Sequence, residues 1–125
     1  MQDLKSVEFE IPMLPRSMNS IYQVMFAIRR IALKPEVRRW KMNACLCMPG
    51  KSFPKDCNFG LNLELHSNWY YKNTRLRHLD LQNLLKVIID ATAEKYGFDD
   101  SRIFKLKAIK IQEDREFVKG LLYQL

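Results

Sequence analysis

The chain of 125 residues contains no apolar run approaching the ~20 residues that a membrane-spanning helix needs. Its first residues, Met1-Gln2-Asp3-Leu4-Lys5, lack the pattern of a signal peptide. Both absences point to a soluble, cytoplasmic protein with no membrane partner. Cysteine is scarce and odd in number. Cys45, Cys47 and Cys57 cannot pair off into a disulfide framework, and one residue between the first two, with His66 and His78 elsewhere, does not suit a four-ligand zinc site. Ordinary packing of reduced thiols is expected. No repeat or low-complexity tract interrupts the chain, so a single domain over residues 1–125 is the expected organisation. Apolar residues at 47% and charged residues at 28% are ordinary for a globular fold, and they exclude wholesale disorder and fibrous architectures. Acidic side chains are in deficit: 14 Asp and Glu oppose 21 Lys and Arg, leaving a net charge of +7. That surplus favours a polyanionic partner through counterion release.

Hydrophobic periodicity gives the elements. Val7, Phe9 and Ile11 alternate with Glu8 and Glu10, as in a strand with one buried face that ends before Pro12. Residues 15–20 read as a turn-rich loop, and Tyr22 to Ala32 as one further strand. Lys34-Pro35-Glu36 resembles a helix start, and Val37, Trp40 and Ala44 continue it at helical spacing to about Cys47. Leu61, Leu63 and Leu65 alternate with Asn62, Glu64 and His66 in a strand. Residues 67–77 read as an exposed loop, with at least one of Trp69, Tyr70 and Tyr71 expected in a core or interface. Leu81, Leu84, Leu85, Ile88, Ile89, Thr92 and Tyr96 recur at three and four, which predicts a helix from Asp80 to Tyr96 that Gly97 stops. Phe104, Leu106 and Ala108 alternate with Lys105 and Lys107 in a basic strand, and residues 117–125 fit a strand or a short helix. The expected class is α+β: a small mixed sheet with two main helices packed on it.

The chemistry concentrates around the second helix. Asp80 at its cap can accept the N–H of Asn83, and Asp80, Asn83 and Asp90 fall within about 80° of arc. Asp99-Asp100 follows the helix. Sixteen helical residues span roughly 24 Å, so Asp80 and Asp100 can share one centre only if the chain turns back or a second copy contributes. Taken singly, these side chains are a cap, a solvated face residue, a polar turn and, at Lys86, a surface lysine. Their combination is what suggests chemistry.

The order Asp80-x-x-Asn83-x-x-Lys86-x-x-x-Asp90, with Asp99-Asp100 about ten residues on, resembles the signature of RusA-type Holliday-junction resolvases. The likeness extends to Pro15-Arg16-Ser17-Met18-Asn19 after the first strand, to residues 34–40 at the first helix, and to Glu64-Leu65-His66, covering roughly residues 6 to 112. The resemblance implies a homodimeric endonuclease that uses Mg²⁺, with Mn²⁺ as a substitute, to nick four-way DNA junctions in recombination and repair. Carried onto this sequence, Asp80 and Asp100 bind metal with Asp99 or Asp90 assisting, and Lys86 is the basic partner near the phosphate. Where the family pattern usually has a second Asp, this chain has Gln82, whose neutral carbonyl oxygen is a poorer ligand for a hard cation. A second reading follows from Gln82: a junction-binding protein that has kept the fold and lost cleavage. A basic scaffold or RNA-binding domain is a third.

The charge distribution suits DNA. Between Arg16 and Lys41 stand seven basic residues, Arg16, Arg29, Arg30, Lys34, Arg38, Arg39 and Lys41, against the single acid Glu36. Arg16, Asn19, Arg38 and Arg39 are candidate DNA contacts there. Lys72, Arg75 and Arg77 interleave with aromatic residues that can stack on unpaired bases. Lys105 and Lys107, with Arg102 and Lys110, are expected as a basic rim beside Asp99-Asp100.

Overall fold

A computed structural model describes residues 4–15, 22–25, 30–33, 35–77 and 81–125. The chain folds as β1 (Ser6–Ile11), β2 (Tyr22–Met25), β3 (Arg30–Leu33), α1 (Pro35–Cys47), β4 (Phe59–Ser67), α2 (Leu81–Tyr96), a 3₁₀ turn (Asp100–Arg102), β5 (Ile103–Gln112) and β6 (Phe117–Gln124). Four strands form one mixed sheet in the order β1-β6-β4-β5, in which β6 is antiparallel to both neighbours and β4 is parallel to β5. Together with two helices this is the α+β architecture that the alternating and helical periodicities predict.

Strand alternation places the core on one face of the sheet. Val7, Phe9 and Ile11 of β1, Leu61, Leu63 and Leu65 of β4, and Val118 and Leu122 of β6 bury that face against both helices. The helices contribute Val37, Trp40 and Ala44 from α1, and Leu84, Val87, Ile88 and Ala91 from α2. Burial of each large aliphatic side chain stabilises by about 1.5–3 kcal/mol. Pro35 opens α1, where its missing N–H costs nothing. The Trp40 indole N–H donates to the Met13 carbonyl at 3.2 Å and ties α1 to the end of β1. The Cys45 thiol donates to the Ala91 carbonyl at 3.5 Å across the two helices, and burial pushes that thiol's pKa up. Cys47, by contrast, is exposed rather than packed, because it falls on the solvent side of the last turn of α1.

Three sequence expectations are corrected. The segment from Tyr22 to Ala32 is not one strand: β2 and β3 pair antiparallel as a separate two-stranded ribbon. Residues 67–77 are not wholly an exposed loop: Ser67 ends β4, and Trp69, only 3% exposed, is the aromatic residue expected in the core. Its indole donates to the Ile111 carbonyl at 3.0 Å, and the Lys110 ammonium lies over its ring, while Tyr70 and Tyr71 stay at the surface. Phe104 and Leu106 do not form a buried face; they are 69% and 46% exposed. The cause is position: β5 is an edge strand paired only with β4, and the register shift at Phe59/Gly60 leaves Phe104 without a partner in β4. Lysines on such an edge discourage pairing with another chain. Of the two forms open to residues 117–125, the chain takes the strand, inserted between β1 and β4.

The Tyr96 hydroxyl, at the end of α2, donates to the Pro49 carbonyl at 2.7 Å. Burial first, and the neighbouring Cys45 second, push its pKa up to about 12. The unfolded chain releases that proton near pH 10, so between about pH 10 and 12 the folded state holds a proton that the unfolded state has lost. Stability is therefore full below that window and falls as pH rises through it. Denaturant titrations at pH 9, 10 and 11 are expected to show the midpoint declining in the wild type and flattening in Tyr96→Phe; equal slopes would refute the linkage.

Candidate active site

Helix α2 ends because Gly97 takes a left-handed conformation (φ 73°), which a residue without Cβ adopts freely. The N–H groups of Gly97 and Phe98 both donate to the Ala93 carbonyl, at 2.8 and 3.1 Å, and this reverses the chain. Asp99 then caps the 3₁₀ turn: its Oδ1 accepts from the Ser101 N–H at 2.9 Å, and that hydrogen bond holds its carboxyl below the usual carboxylate range. Turn and cap together bring Asp100 back alongside the helix. Asp100 shares a concavity with Gln82, Lys86 and Asp90, walled by Leu85 and Ile89.

Gln82, Lys86 and Asp90 are spaced by four, so they line up along one row of α2. Three of the four expected catalytic residues, Gln82, Lys86 and Asp100, therefore meet, and Asp90 joins them; Asn83 does not line this concavity. Asp80 lies outside the described residues, as do Arg16, Asn19, Arg29 and Lys34. Asp99 lines the adjoining concavity with Asp90, Glu94 and Asp100.

The electrostatics of Asp90 follow from this placement. Its pKa is raised, chiefly because it is partly buried, and then by the negative charges of Asp100 and Glu94, against the lowering pull of Lys41 and Lys86. A carboxylate such as Asp90, partly buried and facing other carboxylates, is one whose charge a divalent cation stabilises. Lys41 belongs to the sequence's basic cluster, yet it is no surface charge. It is buried beneath α2, where its ammonium donates to Glu94 at 2.9 Å, because α1 presents it on the same face as Val37 and Ala44.

Arg38 and Arg39 are exposed on α1, and Lys72 and Arg75 are exposed on the loop after β4. Arg77 has a structural part to play, since its guanidinium donates to the Asn68 carbonyl at 2.8 Å and closes that loop. Lys105 and Lys107 are exposed on β5, but they pair with Gly60 and Asn62 on the face away from the helices, so they do not rim the carboxylates on α2. Arg102 reaches Asp56 instead, donating to its carbonyl at 3.2 Å and its carboxylate at 3.3 Å.

Sequence reasoning missed one polar cluster on that open face. The two ring nitrogens of His66 meet Glu113 at 2.6 Å and Glu64 at 2.9 Å, and the ring stacks on Phe117. Glu64 and His66, two apart in a strand, share a face, and this spacing was the signal available; Glu113 comes from the β5–β6 turn and carried none.

Among the described residues no group of three or more His, Cys, Asp and Glu side chains is gathered as a metal cage. Mg²⁺ does not need one: it is commonly held by one or two carboxylates with water and substrate phosphate completing its shell. Asp90 and Asp100 fit that requirement. Among the described residues no helix is long and apolar enough to cross a membrane. Compared with known proteins, the chain matches no family model and no curated protein.

Proposed function

We propose that the protein is a metal-dependent, structure-selective endodeoxyribonuclease that resolves four-way DNA junctions during recombination and repair. The observation that carries this reading is the meeting of Asp100 with the Gln82-Lys86-Asp90 row in one concavity. That arrangement combines paired carboxylates, an ammonium and a neutral amide on a basic chain. Asp90 and Asp100 would hold Mg²⁺ or Mn²⁺. The bound ion supplies charge neutralisation at the phosphate and acidifies an attacking water. The Lys86 ammonium faces the negative charge that develops on the phosphoryl oxygens during in-line attack. Gln82 offers a neutral oxygen and no charge. Arg38 and Arg39 are available for backbone phosphates, and Lys72 and Arg75 for the strands at a branch point. Two matched cuts are most simply made by a two-fold homodimer.

Cleavage and gel-shift assays on a synthetic four-way junction, run beside a linear duplex of equal length, test the reading. Paired nicks in the junction alone, requiring Mg²⁺ or Mn²⁺, are expected. Tight, salt-sensitive binding without nicks at high enzyme concentration would favour the second reading, a junction-binding protein impaired by Gln82. Equal affinity for branched and linear DNA would defeat both. Gln82→Asp restores an anionic ligand beside Asp90 and Asp100, and is expected to raise the nicking rate about tenfold. No change in rate or in metal requirement would remove Gln82 from the site.

A further inference from the structure

Beside the carboxylates lies a cavity of about 350 Å³ between the loop before β4 and the turn after α2. Its walls are aromatic: Phe53 stands edge-on to Phe59 and Tyr96, with centroids 5.1 and 5.9 Å away, and Phe98 leans on Phe59 at 4.3 Å. Phe59 belongs to the core, but Phe53, Tyr96 and Phe98 are only partly covered. Polar groups stand at the rim. Arg102 holds Asp56 through two long hydrogen bonds, and Lys55 is exposed next to it. Asp56 sits at φ 61°, a left-handed turn conformation that aspartate adopts more readily than most residues with a Cβ. Gly97, Phe98 and Asp99 line both this cavity and the acidic concavity of Asp90 and Asp100.

We infer that this cavity receives one unpaired nucleobase of the strand whose phosphate lies at Asp90 and Asp100. The inference rests on the nucleic-acid reading above and adds the part of the substrate recognised beside the scissile bond. The chemistry is selective. Aromatic walls suit a planar ring with an apolar face, while Arg102, Lys55 and Asp56 offer donors and an acceptor to its polar edge. The volume is at the small end for a ligand site and enough for a single base. A base can enter only where pairing has been released, as at a branch point, and so the cavity makes structure selectivity a property of the site itself.

Photo-crosslinking tests this directly. Junction DNA carrying iodinated uracil at the branch point is bound by the full chain, irradiated with long-wavelength ultraviolet light, and digested for mass spectrometry. Adducts on peptides containing Phe53, Tyr96 or Phe98 are expected. Phe53→Leu should reduce their yield about tenfold, the loss expected for one base–aromatic stack, while Arg38 and Arg39 still retain the junction. Arg102→Ala leaves all four rings in place and releases only the rim; it is expected to lower the yield several-fold, and it serves if Phe53→Leu fails to fold. Adducts confined to Tyr70 and Tyr71 with the junction bound would overturn the base pocket alone. Failure to retain junction DNA at all would overturn the nucleic-acid reading and the pocket with it.

Discussion

Asp100→Asn is expected to slow junction nicking at least ~100-fold, which corresponds to about 2.7 kcal/mol of lost transition-state stabilisation. The variant replaces an anionic oxygen by a neutral amide at a position where the chain after α2 meets the Lys86–Asp90 row. Asp100 is exposed and takes no part in the core, so the substitution leaves the fold intact. Junction affinity should stay level or rise slightly, since one negative charge facing a polyanion is removed. Asp114→Asn, in the exposed turn between β5 and β6, serves as control and is expected to cut at the wild-type rate. A wild-type rate in Asp100→Asn would remove this carboxylate from the chemistry.

Gly120→Ala is expected to destabilise the fold by about 1–3 kcal/mol and to lower the midpoint of thermal unfolding by roughly 5–15 °C. Gly120 lies on β6 between Phe9 of β1 and Leu63 of β4, and a Cβ there would clash with the Phe9 ring. That ring is buried, so it can yield only by displacing its neighbours in the core. The glycine is thus one half of a shape-matched pair, with the Phe9 ring filling the space above it. Phe9→Leu in the Gly120→Ala background should recover part of the loss, giving a coupling in a double-mutant cycle that independent sites do not show. Strict additivity would mean that the two positions do not share this space.

The core was legible where one physical rule governs a segment. Leu61, Leu63 and Leu65 bury one face of a half-covered strand, and Leu84, Ile88 and Thr92 bury one stripe of a helix, so period alone located β4 and α2. The pairing of β2 with β3 was hidden because the sequence from Tyr22 to Leu33 contains no glycine, proline or asparagine to mark a division into two strands. The exposure of Phe104 and Leu106 was hidden for another reason: alternation reports that two faces differ, but edge or centre is decided by strand order, which the last strand completes only by inserting next to β1.

The candidate site was half legible. Gln82, Lys86 and Asp100 were singled out by their order in the chain, yet the row of α2 they share with Asp90 is fixed by the i, i+4 geometry of the helix and by the reversal at Gly97. Lys41 shows the opposite case. Counted as surface charge, one of seven basic residues, it is withdrawn from the surface by its ion pair with Glu94, fifty-three positions away along the chain. Lys105 and Lys107 likewise lie near Asp100 in sequence and on the far side of the sheet in space, since strand alternation sends them away from the helices.

Manganese titration of the DNA-free protein, followed by electron paramagnetic resonance, probes the account most directly. Wild type should bind the ion, Asp90→Asn and Asp100→Asn should each weaken binding about tenfold or more, and Gln82→Asp should tighten it. Identical manganese affinity in the wild type and both asparagine variants would contradict a metal centre at the meeting of α2 with Asp100.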